Sequence, residues 1–277
     1  SKICFCGHFF AQIICGLTGR QHNLANAVLL TQLELLQVNR CFVVFLNCRL
    51  IHTLIQQHVA QQAITDHAGY AEFDVQETAD GVVMVMHDDN AQRATGLNKN
   101  MWEVTSTELQ QVSAGSWMDK DFKDERVPTL DEVITLAKGH IKLNIELKNN
   151  GHVVQLAQKT VDLIQAHDFV KECTVTSFDG DLLHKVKVLN SAIKTGLIVS
   201  QNTDDVDKLM KSNDYDVISA AYPLVNESFM KLAESHHKEV YVWTVNDTRM
   251  MRRMLALGVS SIITNQPDKL VKLMSNE

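Results

Sequence analysis

The fold is decided by residues 141–167, which read IKLNIELKNNGHVVQLAQKTVDLIQAH. The first part, Ile141–Leu147, alternates apolar and polar side chains, which is the two-residue period of a β-strand. The second part, His152–His167, follows a short polar turn, and its apolar residues recur at helical spacing. The stretch therefore predicts one strand followed by one helix.

The same strand–helix order continues on both sides of this stretch. Upstream, Tyr70–Gln76 and Val82–Met86 predict two strands joined by the turn pair Asp80-Gly81, and a helix is predicted over 128–138. Downstream, five further strand–helix pairs are predicted: 174–178 with 181–190, 195–200 with 204–211, 217–220 with 226–236, 240–245 with 248–257, and 261–264 with 267–274.

Eight units are reached if Cys41–Leu46 is a first strand and Leu50–Ile64 its helix. Steady alternation indicates an α/β fold with a parallel sheet covered by helices, and eight units indicate a (β/α)8 TIM barrel. An open doubly wound sheet is the alternative. Neither GxGxxG nor GxxxxGK[ST] occurs, which counts against nucleotide binding. The first βα unit is expected to be incomplete or irregular.

Residues 1–65 differ from the rest of the chain in composition. They contain four basic residues, one acidic residue and five of the six cysteines, although the whole chain has a net charge of −7. We therefore expect an atypical N-terminal segment over 1–65 and a barrel over 66–277. Residues 88–127 are too many for an ordinary barrel loop, so we expect a small insertion after strand 2.

The composition also limits the partners and the location of the protein. A chain of 277 residues with a net charge of −7 and no cluster of basic residues is not expected to bind nucleic acid. No apolar run reaches the roughly 18 residues of a membrane-spanning helix. The apolar patches Phe9–Leu17 and Cys41–Leu46 allow peripheral membrane contact, with core packing as the alternative. We expect a cytoplasmic or membrane-associated protein.

Three carboxylates form a candidate metal site. Glu72 and Asp74 are two residues apart on one predicted strand, so both side chains leave the same face, and Glu146 lies on a later strand. Acidic oxygens that meet at the mouth of a barrel suit Ca²⁺ or Mg²⁺. The alternative is an ordinary ion pair between Glu72 and Lys148, with the other carboxylates solvated.

Two further side chains lie at the ends of predicted strands. His87 follows an apolar strand directly, and an imidazole beside an acidic cluster could transfer protons near neutral pH. A structural histidine is the alternative. Trp243 also ends a strand, where an aromatic ring serves equally well as core or as a surface for substrate.

Seven motifs in this order resemble the glycerophosphodiester phosphodiesterase family, from about Ala63 to the C-terminus. They are YAEFDVQETADG at 70–81, VMHD at 85–88, VPTL at 127–130, LNIELK at 143–148, VTSF at 175–178, VWTVN at 242–246 and ITNQPD at 263–268. The resemblance implies a TIM barrel with an insertion after the second strand. It also implies hydrolysis of glycerophosphodiesters, which are small-molecule substrates, to glycerol 3-phosphate and an alcohol.

The resemblance further implies a divalent cation, Ca²⁺ or Mg²⁺, and a role for each candidate residue. The implied metal ligands are Glu72, Asp74 and Glu146. His87 is implied to be one of two acid/base histidines. Lys148 is implied to neutralise phosphate charge, as a catalytic and substrate-binding group, and Trp243 to line the substrate pocket.

The family pattern is missing at its start. The family's first strand ends in His-Arg-Gly and its first helix opens with Glu-Asn-Thr. The intervals place these motifs near 42–46 and 54–56, where this chain reads FVVFL and LIQ. His52 lies several residues from the expected place. We therefore expect impaired hydrolysis, and the alternative is an inactive barrel that binds a phospho-ligand or a partner.

Overall fold

A computed structural model describes residues 43–45, 68–117, 120–201 and 206–275, with only the backbone described for 43–45. These residues belong to a unit that spans 41–277. The described strands are β1 (Val43–Phe45), β2 (Tyr70–Glu77), β3 (Val83–Val85), β4 (Lys142–Leu147), β5 (Cys173–Ser177), β6 (Lys194–Val199), β7 (Val217–Ala221), β8 (Glu239–Trp243) and β9 (Ser261–Thr264).

Eight of these strands form a closed parallel barrel. The order of neighbours is β1-β9-β8-β7-β6-β5-β4-β2, and β1 also pairs with β2, which completes the ring. Strand β3 is antiparallel to β2 and lies outside the ring. The predicted (β/α)8 TIM barrel is confirmed, and closure through β1 excludes the open doubly wound sheet.

Most of the described helices cover the outside of the barrel. In the described part of the chain the helices are α1 (Gln92–Thr95), α2 (Ser106–Gln111), α3 (Leu130–Ala137), α4 (Leu156–Ala166), α5 (Gly180–Leu189), α6 (Val206–Lys211), α7 (Glu227–Ser235), α8 (Thr248–Leu257) and α9 (Pro267–Ser275). Helices α1 and α2 belong to the segment between β3 and α3. Within these ranges no helix has the length and apolar character needed to cross a membrane. The predicted helix over 50–64 lies outside the described residues.

Short polar side chains set where several helices begin. Asp179, Asn226 and Asp247 precede α5, α7 and α8, and each accepts a hydrogen bond from a backbone N–H of the first turn. The first N–H groups of a helix have no partner within the helix, so these caps stabilise its start. The caps fix the point at which the chain leaves each strand end and turns back along the barrel wall.

The barrel wall has an apolar outer face and a polar inner face at its mouth. Leu143, Ile145 and Leu147 of β4 are buried in the main core beneath the helices. The alternate residues of β4 point inward, and the strand register pairs Asn144 with Glu72 and Glu146 with Asp74. The period of two therefore brings polar residues from neighbouring strands together inside the barrel.

Residues between β3 and α3 form a small substructure with its own core. Helices α1 and α2 and a 3₁₀ turn at Lys120–Phe122 lie here. Its buried cluster joins Met84 and Met86 to Met101, Val104 and Leu109. The segment returns to the barrel where Val85 N–H donates to the carbonyl of Pro128. The predicted boundaries, 66–277 for the barrel and 88–127 for the insertion, stay predictions.

We expect Thr129→Ala to lower the free energy of unfolding by about 1 kcal/mol. The Thr129 hydroxyl accepts from Glu132 N–H, and the Glu132 carboxylate accepts from Thr129 N–H at 2.8 Å, so both bonds of a capping box stabilise the start of α3. Urea denaturation measures the change. Thr135→Ala, an exposed substitution in the same helix, is the control and should change stability by less than about 0.5 kcal/mol. Equal losses in the two variants would contradict the cap assignment.

Candidate functional site

The six predicted site residues line one cavity of about 160 Å³. It lies inside the barrel at the carboxyl ends of the strands, the end where active sites of this architecture are found. Its wall includes Glu72, Asp74, His87, Glu146, Lys148 and Trp243. The structure therefore brings together side chains that are up to 171 positions apart in the sequence.

The three acidic side chains are buried and close to each other. Glu72, Asp74 and Glu146 are 6%, 4% and 8% exposed, and each offers an oxygen within 4.8 Å of the oxygens of the other two. Among the described groups, none donates a hydrogen bond to Glu72 Oε2 or Glu146 Oε1. The alternative of a Glu72–Lys148 ion pair with the other two carboxylates solvated does not match this burial of Asp74 and Glu146.

Burial and the charges of their neighbours raise the pKa of Glu72 and of Glu146. Burial raises the pKa of Glu146 to about 8, and the negative charge of Asp74 together with a hydrogen bond to Asp74 adds to the increase. Burial, followed by the charges of Asp74 and Glu146, also raises the pKa of Glu72 well above its ordinary value. Carboxylates that are held out of water and share a single countercharge bind a proton readily, and a cation can take the proton's place.

The donor set fits a divalent metal ion. Two ligand oxygens on opposite sides of Ca²⁺ are separated by about twice a bond of 2.3–2.6 Å, which is comparable to the observed limit of 4.8 Å. Glu72 Oε2 and Glu146 Oε1 accept no hydrogen bond from the described residues, although Lys148 Nζ lies 3.6 Å from Glu146 Oε1. Glu72, Asp74 and Glu146 could therefore hold such an ion.

Lys148 supplies the positive charge nearest to the acidic cluster. Its Nζ lies 3.6 Å from both Asp74 Oδ1 and Glu146 Oε1, and its backbone N–H donates to the carbonyl of Val75 on β2. Burial alone would lower the pKa of Lys148, but the charges of Asp74, Glu146 and Asp89 outweigh burial and raise it. One ammonium group near three carboxyl groups leaves the site short of positive charge.

His87 lies just beyond β3, with its ring fixed by the next residue. The distance from His87 Nδ1 to Asp88 Oδ1 is 2.9 Å, and Asp88 Oδ1 also accepts from Arg93 Nη2 at 2.8 Å. An ionised carboxylate only accepts hydrogen bonds, so Nδ1 carries the proton that it donates to Asp88. Because Nδ1 is engaged with Asp88, Nε2 is the ring nitrogen that can gain or lose a proton.

Trp243 is held at the end of β8 by its indole nitrogen. Nε1–H donates to the carbonyl of Ser219 at 3.0 Å, and the ring meets Phe178 edge-on with centroids 6.1 Å apart. Trp243 is half-buried and packs against the cluster of Tyr70 and Ile263. It therefore contributes a fixed apolar wall to the cavity.

Sequence patterns missed several polar members of the cavity wall. Asn144, Thr176 and Ser219 are buried and line the cavity, and Thr176 Oγ1 donates to Asn144 Oδ1 at 3.2 Å. Polar residues at alternate strand positions look the same in sequence whether they face solvent or the inside of a barrel. The shared LNIELK spacing of Asn144 and Glu146 was the one signal available.

Comparison with known proteins gives a consistent result. A model of the Glycerophosphoryl diester phosphodiesterase family matches residues 58–269. A glycerophosphodiester phosphodiesterase of Caldanaerobacter subterraneus is 28% identical over 207 residues, which cover 73% of this chain and 84% of that protein. One from Bacillus subtilis is 26% identical over 235 residues, which cover 78% of this chain and 79% of that protein.

Solved structures share the fold. A phosphodiesterase of Oleispira antarctica, in complex with the product sn-glycerol-3-phosphate, superposes with a TM-score of 0.76 at 20% identity. The match covers 86% of this chain and 97% of that one. At this level of identity the similarity establishes the TIM-barrel architecture.

In a metal chelator, we expect the free energy of unfolding to fall as the pH rises from about 5 towards 8. The folded protein keeps the Glu146 proton up to a pKa of about 8, whereas the unfolded chain loses it near pH 4.3. In this window the folded state binds more protons, so stability falls by up to about 1.4 kcal/mol per pH unit for each such proton.

Urea denaturation at a series of pH values measures this fall. Glu146→Gln removes the titrating group at nearly constant volume and should make the fall smaller. A saturating divalent cation should also reduce it, because the ion replaces the proton. An equally steep fall in Glu146→Gln would contradict the raised pKa.

Proposed function

The chain belongs to the glycerophosphoryl diester phosphodiesterase family, and on that premise we propose that it hydrolyses glycerophosphodiesters with the help of a divalent cation. The products would be glycerol 3-phosphate and an alcohol. The observation that carries the proposal is the buried cluster of Glu72, Asp74 and Glu146, with its two oxygens that accept no described hydrogen bond. The product in the complex of the Oleispira antarctica phosphodiesterase supports the substrate class.

In this proposal Glu72, Asp74 and Glu146 hold the cation, Ca²⁺ or Mg²⁺. When bound, the cation polarises the phosphoryl oxygens as a Lewis acid. Glu72 and Glu146 give up their protons as the ion binds, so the affinity should rise with pH over the range in which the pKa of Glu146 lies. Their fixed positions on β2 and β4 orient the bound phosphate before reaction.

Lys148 interacts with the phosphate group of the substrate. The raised pKa keeps its ammonium group protonated at neutral pH. Its side chain is 22% exposed and lines the cavity. A fixed positive charge at this point offsets the negative charge that develops on the phosphoryl oxygens in the transition state.

His87 acts as the general acid in the proposed reaction. A water molecule attacks phosphorus and loses a proton to solvent, while the bond from phosphorus to the alcohol oxygen breaks. If a neighbouring hydroxyl of the glycerol attacks instead, it loses its proton and forms a cyclic phosphate, which water then opens to glycerol 3-phosphate. His87 Nε2 gives its proton to the departing alkoxide while Asp88 holds Nδ1 at 2.9 Å. Trp243 bounds the cavity, excludes water from one side and positions the organic part of the substrate.

We propose further that this chain is slow. Strand β1 reads Val43-Val44-Phe45, so the chain lacks the histidine and arginine that the family resemblance leads us to expect there. Loss of one positioned acid/base group costs about 10²–10⁴-fold in rate. Loss of a carboxylate ligand from the missing Glu-Asn-Thr motif would weaken cation binding as well.

A coupled assay for glycerol 3-phosphate, with glycerophosphocholine and Ca²⁺ or Mg²⁺, tests the proposal. We expect slow turnover that depends on the cation. His87→Ala should reduce the turnover by about 10²–10⁴-fold. Glu146→Gln should abolish it and should weaken cation binding measured by calorimetry, because affinity for a divalent cation depends on the number of charged ligands and the amide is neutral.

Two exposed residues provide matched controls. His140→Ala and Glu234→Gln make the same chemical changes at surface positions away from the cavity, and both should leave turnover and cation affinity unchanged. Absence of turnover at high enzyme concentration would contradict hydrolysis. Calorimetric binding of glycerol 3-phosphate without turnover would favour the inactive, ligand-binding barrel instead.

Phe45→His tests whether the sequence of β1 limits the rate. Position 45 is in register with Glu72, whereas position 44 is in register with Ala71, and alternate strand positions belong to opposite faces. We expect Phe45→His to raise the rate of turnover, and Val44→His to leave it unchanged. The same assay measures both variants. Equal rates for wild type and Phe45→His would contradict the proposed deficiency of β1.

A further inference from the structure

One buried amide side chain connects the two loops that carry His87 and Lys148. Gln76 lies near the carboxyl end of β2 and is fully buried. Its Nε2 donates to three consecutive backbone carbonyls, those of Met86, His87 and Asp88, at 3.1, 3.2 and 2.9 Å. An amide NH₂ group has two hydrogens, so the three carbonyls share them.

The other end of the same amide contacts the second loop. Gln76 Oε1 accepts from Asn150 Nδ2 at 2.9 Å, and Asn150 lies two residues after Lys148. Asn150 Oδ1 in turn accepts from His152 N–H at 3.0 Å, which fixes the turn that leads towards α4. Gln76 therefore uses its donor and acceptor on different loops.

The contact replaces a missing strand neighbour. Strand β3 ends at Val85, and Met86 N–H makes the last backbone bond to β2, at the carbonyl of Asp74. The next carbonyls would be costly to bury without a donor. A glutamine at position 76 reaches them, whereas an apolar residue of similar size would leave all three without that donor.

We propose that Gln76 is a positioning residue that fixes the His87 loop relative to the Lys148 loop. It acts through backbone carbonyls and through Asn150, and it does not touch the substrate. Its effect on catalysis rests on the proposed hydrolytic function, whereas its effect on the two loops does not.

Hydrogen–deuterium exchange of the full chain tests the positioning itself, independently of any turnover. Gln76→Leu removes every hydrogen bond of the amide, and Asn150→Ala removes only the bond at its Oε1. We expect exchange of peptides covering 86–90 to rise by about tenfold in Gln76→Leu, and by a smaller factor in Asn150→Ala. The rise in Asn150→Ala is the decisive result, because the side-chain hydrogen bonds of Asn150 join it to Gln76 and to His152 N–H, and neither reaches residues 86–90 directly.

Gln158→Leu is the matched control for exchange and for stability. Gln158 is exposed on α4, where its Nε2 donates to Asp162, and it undergoes the same chemical change. It should leave exchange of 86–90 unchanged. If Gln76→Leu does not fold, Asn150→Ala still decides the question. If the amides of residues 86–90 exchange at the wild-type rate in Asn150→Ala, the proposed positioning of the His87 loop by Gln76 and Asn150 is wrong.

A double-mutant cycle tests the catalytic consequence. Gln76→Leu should lower kcat by about tenfold or more with little change in KM, because it displaces a group that acts in the transition state. In the His87→Ala background the same substitution should change kcat by less than about threefold. If Gln76→Leu lowers kcat by the same factor in the His87→Ala background as in wild type, Gln76 does not act through His87. Absence of turnover in wild type would contradict the proposed function. The exchange experiment would still show whether Gln76 fixes the His87 loop relative to the Lys148 loop.

Discussion

At the carboxyl ends of the barrel strands, the structure must hold three mutually repelling carboxyl groups together out of water. Glu72, Asp74 and Glu146 are each buried, and their oxygens lie within 4.8 Å of one another. Such a cluster is unfavourable as three anions, so its charge must be reduced by protons, by Lys148 or by a cation. The surrounding wall serves to keep these groups in that unfavourable proximity.

The barrel supplies the rigidity that this cluster needs. Strands β2 and β4 pair residue by residue from Tyr70 with Lys142 to Val75 with Leu147, which fixes the separation of the acidic side chains. The outer face of the same strands is apolar and packs beneath helices, so displacement of the acids would also disrupt the core. Alternate residues of the same two strands therefore serve different purposes: the inward ones form the acidic cluster, and the outward ones pack in the core.

The sequence was sufficient wherever the signal was local. The pattern of residues 141–167 predicted β4 and α4, and repetition of that pattern predicted the barrel. The two-residue spacing of Glu72 and Asp74 indicated a shared face. What required the structure was the contact between distant strands: Thr176 and Ser219 read as ordinary polar strand residues until closure brings them beside the acids. Helix α2 was missed for a different reason, because six residues are too few for a clear period, although its capping box at Thr105 and Glu108 was present in the sequence.

Strand β1 contributes to the fold, although it lacks the family's catalytic motif. This strand completes the ring through main-chain pairing with β2 and β9, at Val43 with Tyr70 and with Ile263. Backbone hydrogen bonds are the same for every residue except proline, so ring closure places few demands on which amino acids occupy the strand. A substitution at position 45, which is in register with Glu72, can therefore change the chemistry at the mouth of the barrel and leave the backbone pairing of β1 in place.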